Sequence, residues 1–342
     1  MQTIKVLVAH HMGRDEDLAR IAEVGPEVEV AYGPYIDEET KGFVRSYRAG
    51  GIMQPPLPEG EFQRHIGDAE VIFGLRLPEN ITEIAPALKW VQVYGAGVDY
   101  LAKTSLLQHG VTMTNSSGVN SPPIAEFCLG LMLMNAKNMV KRMAAQRERR
   151  WVRYANGELG GATLGIIGPG RIGGEVARRA KAFDMRILAA RRSYTLGQTL
   201  NNIDEVYPTD RLREMLGQCD YVVVAVSLTQ ETRHMIGKAE FQAMKPGAFF
   251  INVARGPVVD ETALLEAIKS GPLGGAGLDV FEQEPLPRES EFWGLENVIL
   301  TPHNSGGIRD HAKRATELFC QNLRRYIDGE PLDNAIDPAK GY

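Results

Sequence analysis

Three residues in this 342-residue chain have the charges and the settings for one reaction. Arg255 lies in Asn252-Val253-Ala254-Arg255-Gly256-Pro257, Glu284 in Asp279-Val280-Phe281-Glu282-Gln283-Glu284-Pro285, and His303 in Thr301-Pro302-His303-Asn304. Brought together, they would supply a guanidinium fork for a carboxylate, an imidazole for proton transfer and a carboxylate to orient it. Taken singly, each has a plainer reading: a surface arginine, one of several loop glutamates, a hydrogen-bonded loop histidine. Each follows an apolar run that reads as a buried strand, so what positions them is a set of strand ends.

The element that anchors those strands is 161–192. Thr163-Leu164-Gly165-Ile166-Ile167 reads as a strand, Gly168-Pro169-Gly170-Arg171-Ile172-Gly173 as a turn, and 175–183 as a helix. A second apolar run, 185–190, ends in Arg191-Arg192-Ser193. Strand, Gly-x-Gly-x-x-Gly turn, helix and strand within roughly 30 residues is the dinucleotide fingerprint in its required context. Gly168 permits the tight turn, Gly170 lets the backbone approach a pyrophosphate, and Gly173 lets the helix pack on the strand. The helix N-terminus presents free N–H groups to the phosphates. An NAD site places an acidic residue about 20 residues past the glycines, against the ribose hydroxyls. Here Arg191, Arg192 and Ser193 stand there, which suits a ribose 2′-phosphate and favours NADP, with NAD the alternative if these residues form only a solvated basic loop.

The rest of the chain alternates strands and helices, as expected of parallel sheets with helices on both faces. Strands are expected at 4–9, 28–31, 70–74 and 89–93, then at 221–226, 248–253, 275–280 and 298–300. Short helices are expected at 80–87, 212–216 and 262–269, and a last amphipathic one from 310 to about 327. A long helix is expected from 124 to about 147, capped by Ser121 with Pro122 and Pro123 in its start and Glu126 in its first turn. Its apolar residues cover too many sides for a surface helix, so two-sided packing, for instance at a subunit interface, is expected. Ligands bind such sheets beyond the strands' C-terminal ends. Leu75, Arg76, Tyr94, Gly95, Ala96 and Gly97 are therefore candidate substrate residues, with the loop 50–60 beside them. His10-His11 ends the first strand, but adjacent side chains diverge on an extended segment, which argues against a ligand pair.

Composition narrows the class. With 44% hydrophobic and 24% charged residues the chain is globular, and its length allows two domains. A formal charge of −5 gives no general attraction for nucleic acid or membrane. Cys128, Cys219 and Cys320 are widely spaced and odd in number, which supports neither a disulfide framework nor a metal site. No signal-peptide pattern or bilayer-length apolar run appears, so a cytoplasmic protein is expected.

The motifs quoted, with Gly95-Ala96-Gly97-Val98-Asp99, Ala125-Glu126 and the tail 322–342, resemble the D-isomer-specific 2-hydroxyacid dehydrogenases over nearly the whole chain and in family order. That family includes glyoxylate and hydroxypyruvate reductases and D-3-phosphoglycerate dehydrogenase. The resemblance implies an α/β fold of two doubly wound parallel-sheet domains, with a Rossmann nucleotide domain (119–307) inserted into a flavodoxin-like substrate domain (1–118 and 308–342). It implies that Arg255 binds the substrate carboxylate and C2 oxygen, His303 is the general acid/base and Glu284 pairs with it. It also implies that the Gly95-Ala96-Gly97 amides meet the carboxylate. For the cofactor it implies Arg171 and Ile172 at the pyrophosphate, Val253 and Ala254 along the nicotinamide and Asp279 on its carboxamide, and Ser227, His303 and Gly306 are further candidate cofactor residues. A homodimer through the nucleotide domain is implied, with a small 2-oxo or 2-hydroxy acid as the other partner.

Two departures stand out. Arg191 replaces the family's acidic residue, and Ser227 stands where the family often has proline. Formate dehydrogenases of the family carry glutamine at the position of Glu284, which argues against that activity. Two rival readings use similar residues: a dinucleotide-sensing binding protein like the corepressors of the superfamily, and a phosphite dehydrogenase.

Overall fold

A computed structural model describes residues 3–11, 14–36, 60–98, 101, 104–195 and 197–337. Expectations that fall on the loop 50–59, on Asp99 and on the tail from 338 lie outside the described residues. The chain divides into two compact units, Met1–Asn120 with Ile308–Tyr342, and Ser121–Gly307.

The first unit holds β1 (Ile4–His10), α1 (Asp15–Ala22), β2 (Val28–Ile36), α2 (Glu61–Ile66), β3 (Val71–Gly74), α3 (Ile81–Ile84), β4 (Trp90–Val93) and β5 (Thr112–Asn115). Its five strands are parallel, in the order β2-β1-β3-β4-β5. β3 and β4 are buried throughout, as the strands of a parallel sheet covered on both faces should be, with Gln92 the one polar residue among them. β2 extends well past the expected 28–31, through Gly33. A Cβ there would lie 2.7 Å from the backbone nitrogen of Phe62, so the missing side chain is what lets α2 pack on the strand. β5 was not expected, because Thr-Met-Thr-Asn is too polar to read as a buried strand. From Met113 to Asn115 it is buried, with its polar groups paired: Thr114 Oγ1 accepts Trp90 Nε1 at 3.0 Å and donates to Gln92 Oε1 at 3.2 Å.

The second unit begins with α4 (Ser121–Ala136) and α5 (Met139–Arg147). The single helix expected from 124 to about 147 is therefore two. Asn138 between them has φ +50°, a left-handed conformation that asparagine tolerates better than most residues and that no α-helix continues through. Because the first helix starts at Ser121, Glu126 falls in its second turn instead of its first. There follow β6 (Thr163–Ile167), α6 (Arg171–Lys181), β7 (Arg186–Arg191), β8 (Glu205–Pro208), α7 (Leu212–Leu216), β9 (Tyr221–Val224), α8 (Lys238–Gln242), β10 (Phe249–Asn252), α9 (Glu261–Lys269), β11 (Gly275–Leu278) and β12 (Val298–Leu300). The seven strands are parallel, in the order β12-β11-β10-β9-β6-β7-β8. The sheet buries both faces. Leu164, Ile166, Ile187, Val223 and Ile251 pack with Leu131 and Met132 of α4 and Val176 of α6, while Leu188, Val222, Val224 and Phe250 pack on the other side. Each such side chain contributes about 1.5–3 kcal/mol when fully buried. Strand order reverses at β6, where β7 lies on one side and β9 on the other, and ligands bind open parallel sheets at such a reversal.

α10 (His311–Asp328) returns to the first unit. Its Phe319 stacks on Phe73 of β3 at 4.5 Å and on Trp90 of β4 at 5.2 Å.

Candidate active site

In the second unit the glycine turn has the shape a dinucleotide needs. Gly168 has φ +92°, and a Cβ on it would lie 2.6 Å from Val226 Cγ1. A Cβ on Gly173 would come 2.4 Å from the Gly168 carbonyl oxygen, so this glycine allows α6 to start hard against the turn. Gly170 is the opposite case: a Cβ would meet nothing within 4 Å, and the residue is exposed. Gly170 also caps α6 without a side-chain acceptor, which leaves the first N–H groups of Arg171, Ile172 and Gly173 directed outward at a partial positive charge. The cradle fits a pyrophosphate.

Arg191 ends β7 half-buried, and its Nη2 donates to Ser193 Oγ at 2.8 Å. Arg192 and Ser193 are exposed, and Arg192 forms an ion pair with Glu231. Among these residues, 191 to 193, no carboxylate takes the place that ribose hydroxyls would use. Ser227, after β9, is exposed, and its carbonyl accepts Thr232 Oγ1 at 2.7 Å.

The three candidate catalytic residues come together in part. His303 Nδ1 lies 2.7 Å from Glu284 Oε2, with the histidine side chain 28% and the glutamate 15% exposed. The second oxygen of Glu284 accepts the N–H of Phe281 at 3.1 Å, so the carboxylate is fixed from both sides. His303 has φ +51°, and its N–H donates to the carbonyls of Asp279 at 2.8 Å and Thr301 at 3.0 Å. Arg255 is half-buried after β10, with Nη1 donating to the Ala254 carbonyl at 2.8 Å. Gly256 next to it is backed by the loop of Glu284: a Cβ would fall 1.9 Å from the carbonyl carbon of Phe281. The chain carrying Arg255 and the loop carrying Glu284 thus touch through backbone.

Asp279 is 1% exposed and organises the histidine loop. Oδ1 accepts Thr301 Oγ1 at 2.7 Å and the Asn304 N–H at 2.8 Å, and Oδ2 accepts the Ser305 N–H at 2.9 Å. Gly306 is half-buried just beyond. Val253 and Ala254 are buried at the end of β10. One residue there escaped the sequence reading. Asn252 Oδ1 accepts the Ala254 N–H at 3.0 Å and its Nδ2 donates to the Arg255 carbonyl at 3.3 Å, fixing the turn that presents Arg255. The signal was an asparagine closing a buried strand two residues before the turn it stabilises.

In the first unit, the Gly95 carbonyl accepts the Ser116 N–H at 3.0 Å, and the Ala96 carbonyl accepts Asn115 Nδ2 at 3.0 Å. A trans peptide points its C=O and N–H in opposite directions, so the N–H groups of Ala96 and Gly97 are turned away from β5. Leu75 and Arg76 are half-buried after β3. The Tyr94 side chain is 1% exposed and packs against His10, Phe73 and His311 in the unit's core. His10 is likewise buried among aromatic rings, and burial pushes its pKa down to about 3. The three cysteines are buried, and burial pushes each thiol up.

A family model described as "D-isomer specific 2-hydroxyacid dehydrogenase, NAD binding domain" matches residues 129–305. The chain belongs to this family. It is an oxidoreductase that uses a nicotinamide cofactor and acts on a small 2-hydroxy or 2-oxo acid. A glyoxylate reductase of Pyrococcus furiosus is 36% identical over 286 residues, covering 80% of this chain and 84% of that protein. A D-3-phosphoglycerate dehydrogenase of Methanocaldococcus jannaschii is 33% identical over 339 residues, 98% of this chain, yet the chain spans only 59% of that longer protein. Among solved structures, a D-isomer specific 2-hydroxyacid dehydrogenase of Xanthobacter autotrophicus Py2, in complex with NADPH and MES, is 29% identical, with a TM-score of 0.81 and 100% of both chains covered. The fold of this family, two parallel-sheet α/β domains, is the one described above. Among the described residues, no helix is long and apolar enough to cross a membrane.

Proposed function

We propose that the protein is an NADP-preferring reductase that converts a small 2-oxo acid of the glyoxylate or hydroxypyruvate kind into the D-2-hydroxy acid. The observation that carries this reading is the 2.7 Å pairing of His303 Nδ1 with Glu284 Oε2 at the strand ends that also present Arg255. The relative in Pyrococcus furiosus is a glyoxylate reductase, and the structural relative was solved with NADPH. The first unit is assigned to the substrate and the second to the dinucleotide.

The nicotinamide, when bound, supplies the hydride that reduces C2. Arg255 grips the substrate carboxylate and neutralises charge on the C2 oxygen. With Nδ1 committed to Glu284, Nε2 is the nitrogen of His303 that faces the substrate, and it delivers the proton to that oxygen. Glu284 fixes the tautomer and the orientation of the ring. To the substrate carboxylate we also assign the N–H groups of Ala96 and Gly97, and to its substituent Leu75 and Arg76. Arg171 and Ile172 are assigned to the pyrophosphate, Val253, Ala254 and Gly306 to the nicotinamide end, and Ser227 to the adenosine end. Arg191 and Ser193, already hydrogen-bonded to each other, form the basic edge for a 2′-phosphate, with Arg192 beside them. Asp279 holds the histidine loop, and one lone pair of Oδ2 beyond the Ser305 bond can still meet the carboxamide.

A homodimer is part of the proposal. Met139, Met143, Trp151, Val152 and Phe183 are the large apolar side chains left exposed around α5 and α6, with Trp151 97% exposed. These side chains are the candidates for burial against a second copy of the chain. Sedimentation of the purified protein should give twice the chain mass; a monomer at micromolar concentration would refute it. The activity is tested by initial rates with NADPH and NADH on glyoxylate, hydroxypyruvate, pyruvate, phenylpyruvate and 2-oxoglutarate. Turnover of the small oxo acids with NADPH is expected. Failure on the whole panel overturns the substrate class.

A further inference from the structure

The loop that carries Glu284 is held by a residue that takes no part in the chemistry just described. Glu261 is the first residue of α9 and follows Asp260, whose Oδ1 caps that helix by accepting the Ala263 N–H at 3.0 Å. Its own Oε1 turns across to the Glu282 N–H at 2.5 Å. The preceding N–H, that of Phe281, goes to Glu284 at 3.1 Å. Two carboxylates therefore hold two successive N–H groups of one loop, one from α9 and one from the residue that orients His303. The same peptide has no room to retreat, because Gly256 lies against it and even a Cβ there would sit 2.1 Å from the Phe281 oxygen. Glu282 is tethered at its far end too: its Oε1 meets His234 Nε2 at 2.7 Å, and the N–H of His234 donates to the Pro257 carbonyl at 2.8 Å. The tether thus runs back to the turn that presents Arg255.

We propose that Glu261 is a positioning residue: by anchoring the Glu282 N–H it fixes the Phe281–Glu282 peptide, and through it the place of Glu284 beside His303. The proposal rests on reading His303 and Glu284 as the pair that handles the proton. Its physical content is that an acceptor at position 261, more than a packed side chain, sets the geometry. A carboxylate that accepts a backbone N–H gives a stronger bond than a neutral acceptor, and Glu261 makes it from a half-buried position to an N–H on the exposed side of the loop. Burial pushes the Glu261 carboxyl up, opposed by the Glu282 N–H and reinforced by the nearby charges of Glu282 and Glu284.

The test compares the full-length protein with Glu261→Ala and Glu261→Gln, the second keeping an acceptor of the same reach. Two readouts do not depend on turnover: hydrogen exchange at the Glu282 amide, and the NMR signal of the His303 Nδ1–H, assigned by its absence in His303→Ala. Glu261→Ala should lose exchange protection at Glu282 and broaden or lose the Nδ1–H signal, and Glu261→Gln should keep both. Where the parent reduces an oxo acid, kcat of Glu261→Ala should fall on the order of tenfold, as misplaced catalytic groups do, with KM little changed. Glu261→Gln should restore it. Equal protection and an equal Nδ1–H signal in all three proteins overturn the proposal, and so does an unchanged kcat once the loop is released. A parent inactive on every oxo acid would instead sink the functional reading, while the two spectroscopic readouts still decide the anchor.

Discussion

The carbonyl of Asp279 accepts the N–H of His303 at 2.8 Å, so the residue at the end of β11 sets the backbone of the residue proposed to move the proton. Its carboxylate then takes the N–H groups of Asn304 and Ser305. Asp279→Asn puts an amide N–H where the loop offers donors, and at least one buried bond must fail. A loss of about 1–3 kcal/mol in stability is expected, along with a fall in kcat on the order of tenfold from the displaced imidazole. Denaturant unfolding and steady-state kinetics on the same preparation check both. Unchanged stability would mean that the carboxylate does not organise the loop.

His303→Ala should lower turnover by roughly 10²–10⁴ while leaving NADPH binding intact. Glu284→Gln should fall between that variant and the parent, because glutamine can accept the Nδ1–H but carries no charge to stabilise the imidazolium. Rates under saturating cofactor, with cofactor affinity measured by fluorescence, separate the two effects. An undiminished His303→Ala enzyme removes the histidine from the chemistry.

Cofactor choice is predicted to rest on Arg191. Arg191→Asp deletes a charge-assisted contact with a 2′-phosphate, whose value of about 1.5–3 kcal/mol corresponds to roughly a tenfold to hundredfold loss in kcat/KM for NADPH. The new carboxylate should at the same time improve NADH, by accepting the ribose hydroxyls. If the ratio of the two cofactors does not move, residues 191 to 193 are only a solvated loop.

A pH effect on stability is expected from His10. It is neutral in the folded protein because burial among apolar rings, helped by His11 and His311, pushes its pKa from 6.5 down to about 3. The unfolded chain takes up a proton near 6.5 and the folded one does not. Stability from this residue is thus fully present above 6.5 and declines as pH falls toward 3, by up to about 1.4 kcal/mol per pH unit. His311, also pushed down by burial, adds to the same trend. His10→Phe keeps a flat ring without the titration. Urea unfolding between pH 7 and 4 should show a shallower decline for it than for the parent, and parallel curves would exclude His10 as the source.

The sequence made the dinucleotide turn and the strand-end residues legible because both are written locally: glycines at fixed offsets, and apolar runs that stop at a polar residue. What stayed hidden depends on partners distant in the chain. β5 is polar by composition and becomes a strand only because Trp90 and Gln92 satisfy Thr114. The break at Asn138 is a choice of φ at one residue, inside an otherwise helical pattern. The packing of Tyr94 against His10, Phe73 and His311 is likewise set by residues distant in the chain. Glu261 lies just before the helix expected at 262–269, and only the approach of the loop at Glu282 gives it this partner.

The return of α10 to the first unit bears on how the chain is made. On the ribosome, β1 to β5 emerge long before residues 311–328, and until then Phe73 and Trp90 lack the stacking partner Phe319. The second unit, continuous from Ser121 to Gly307, can close its own core during that interval. The nascent first sheet must therefore wait with an aromatic face uncovered through the synthesis of the whole intervening unit. A stop codon before His311 would leave that face open permanently, making the truncated chain a client for chaperones instead of a smaller enzyme.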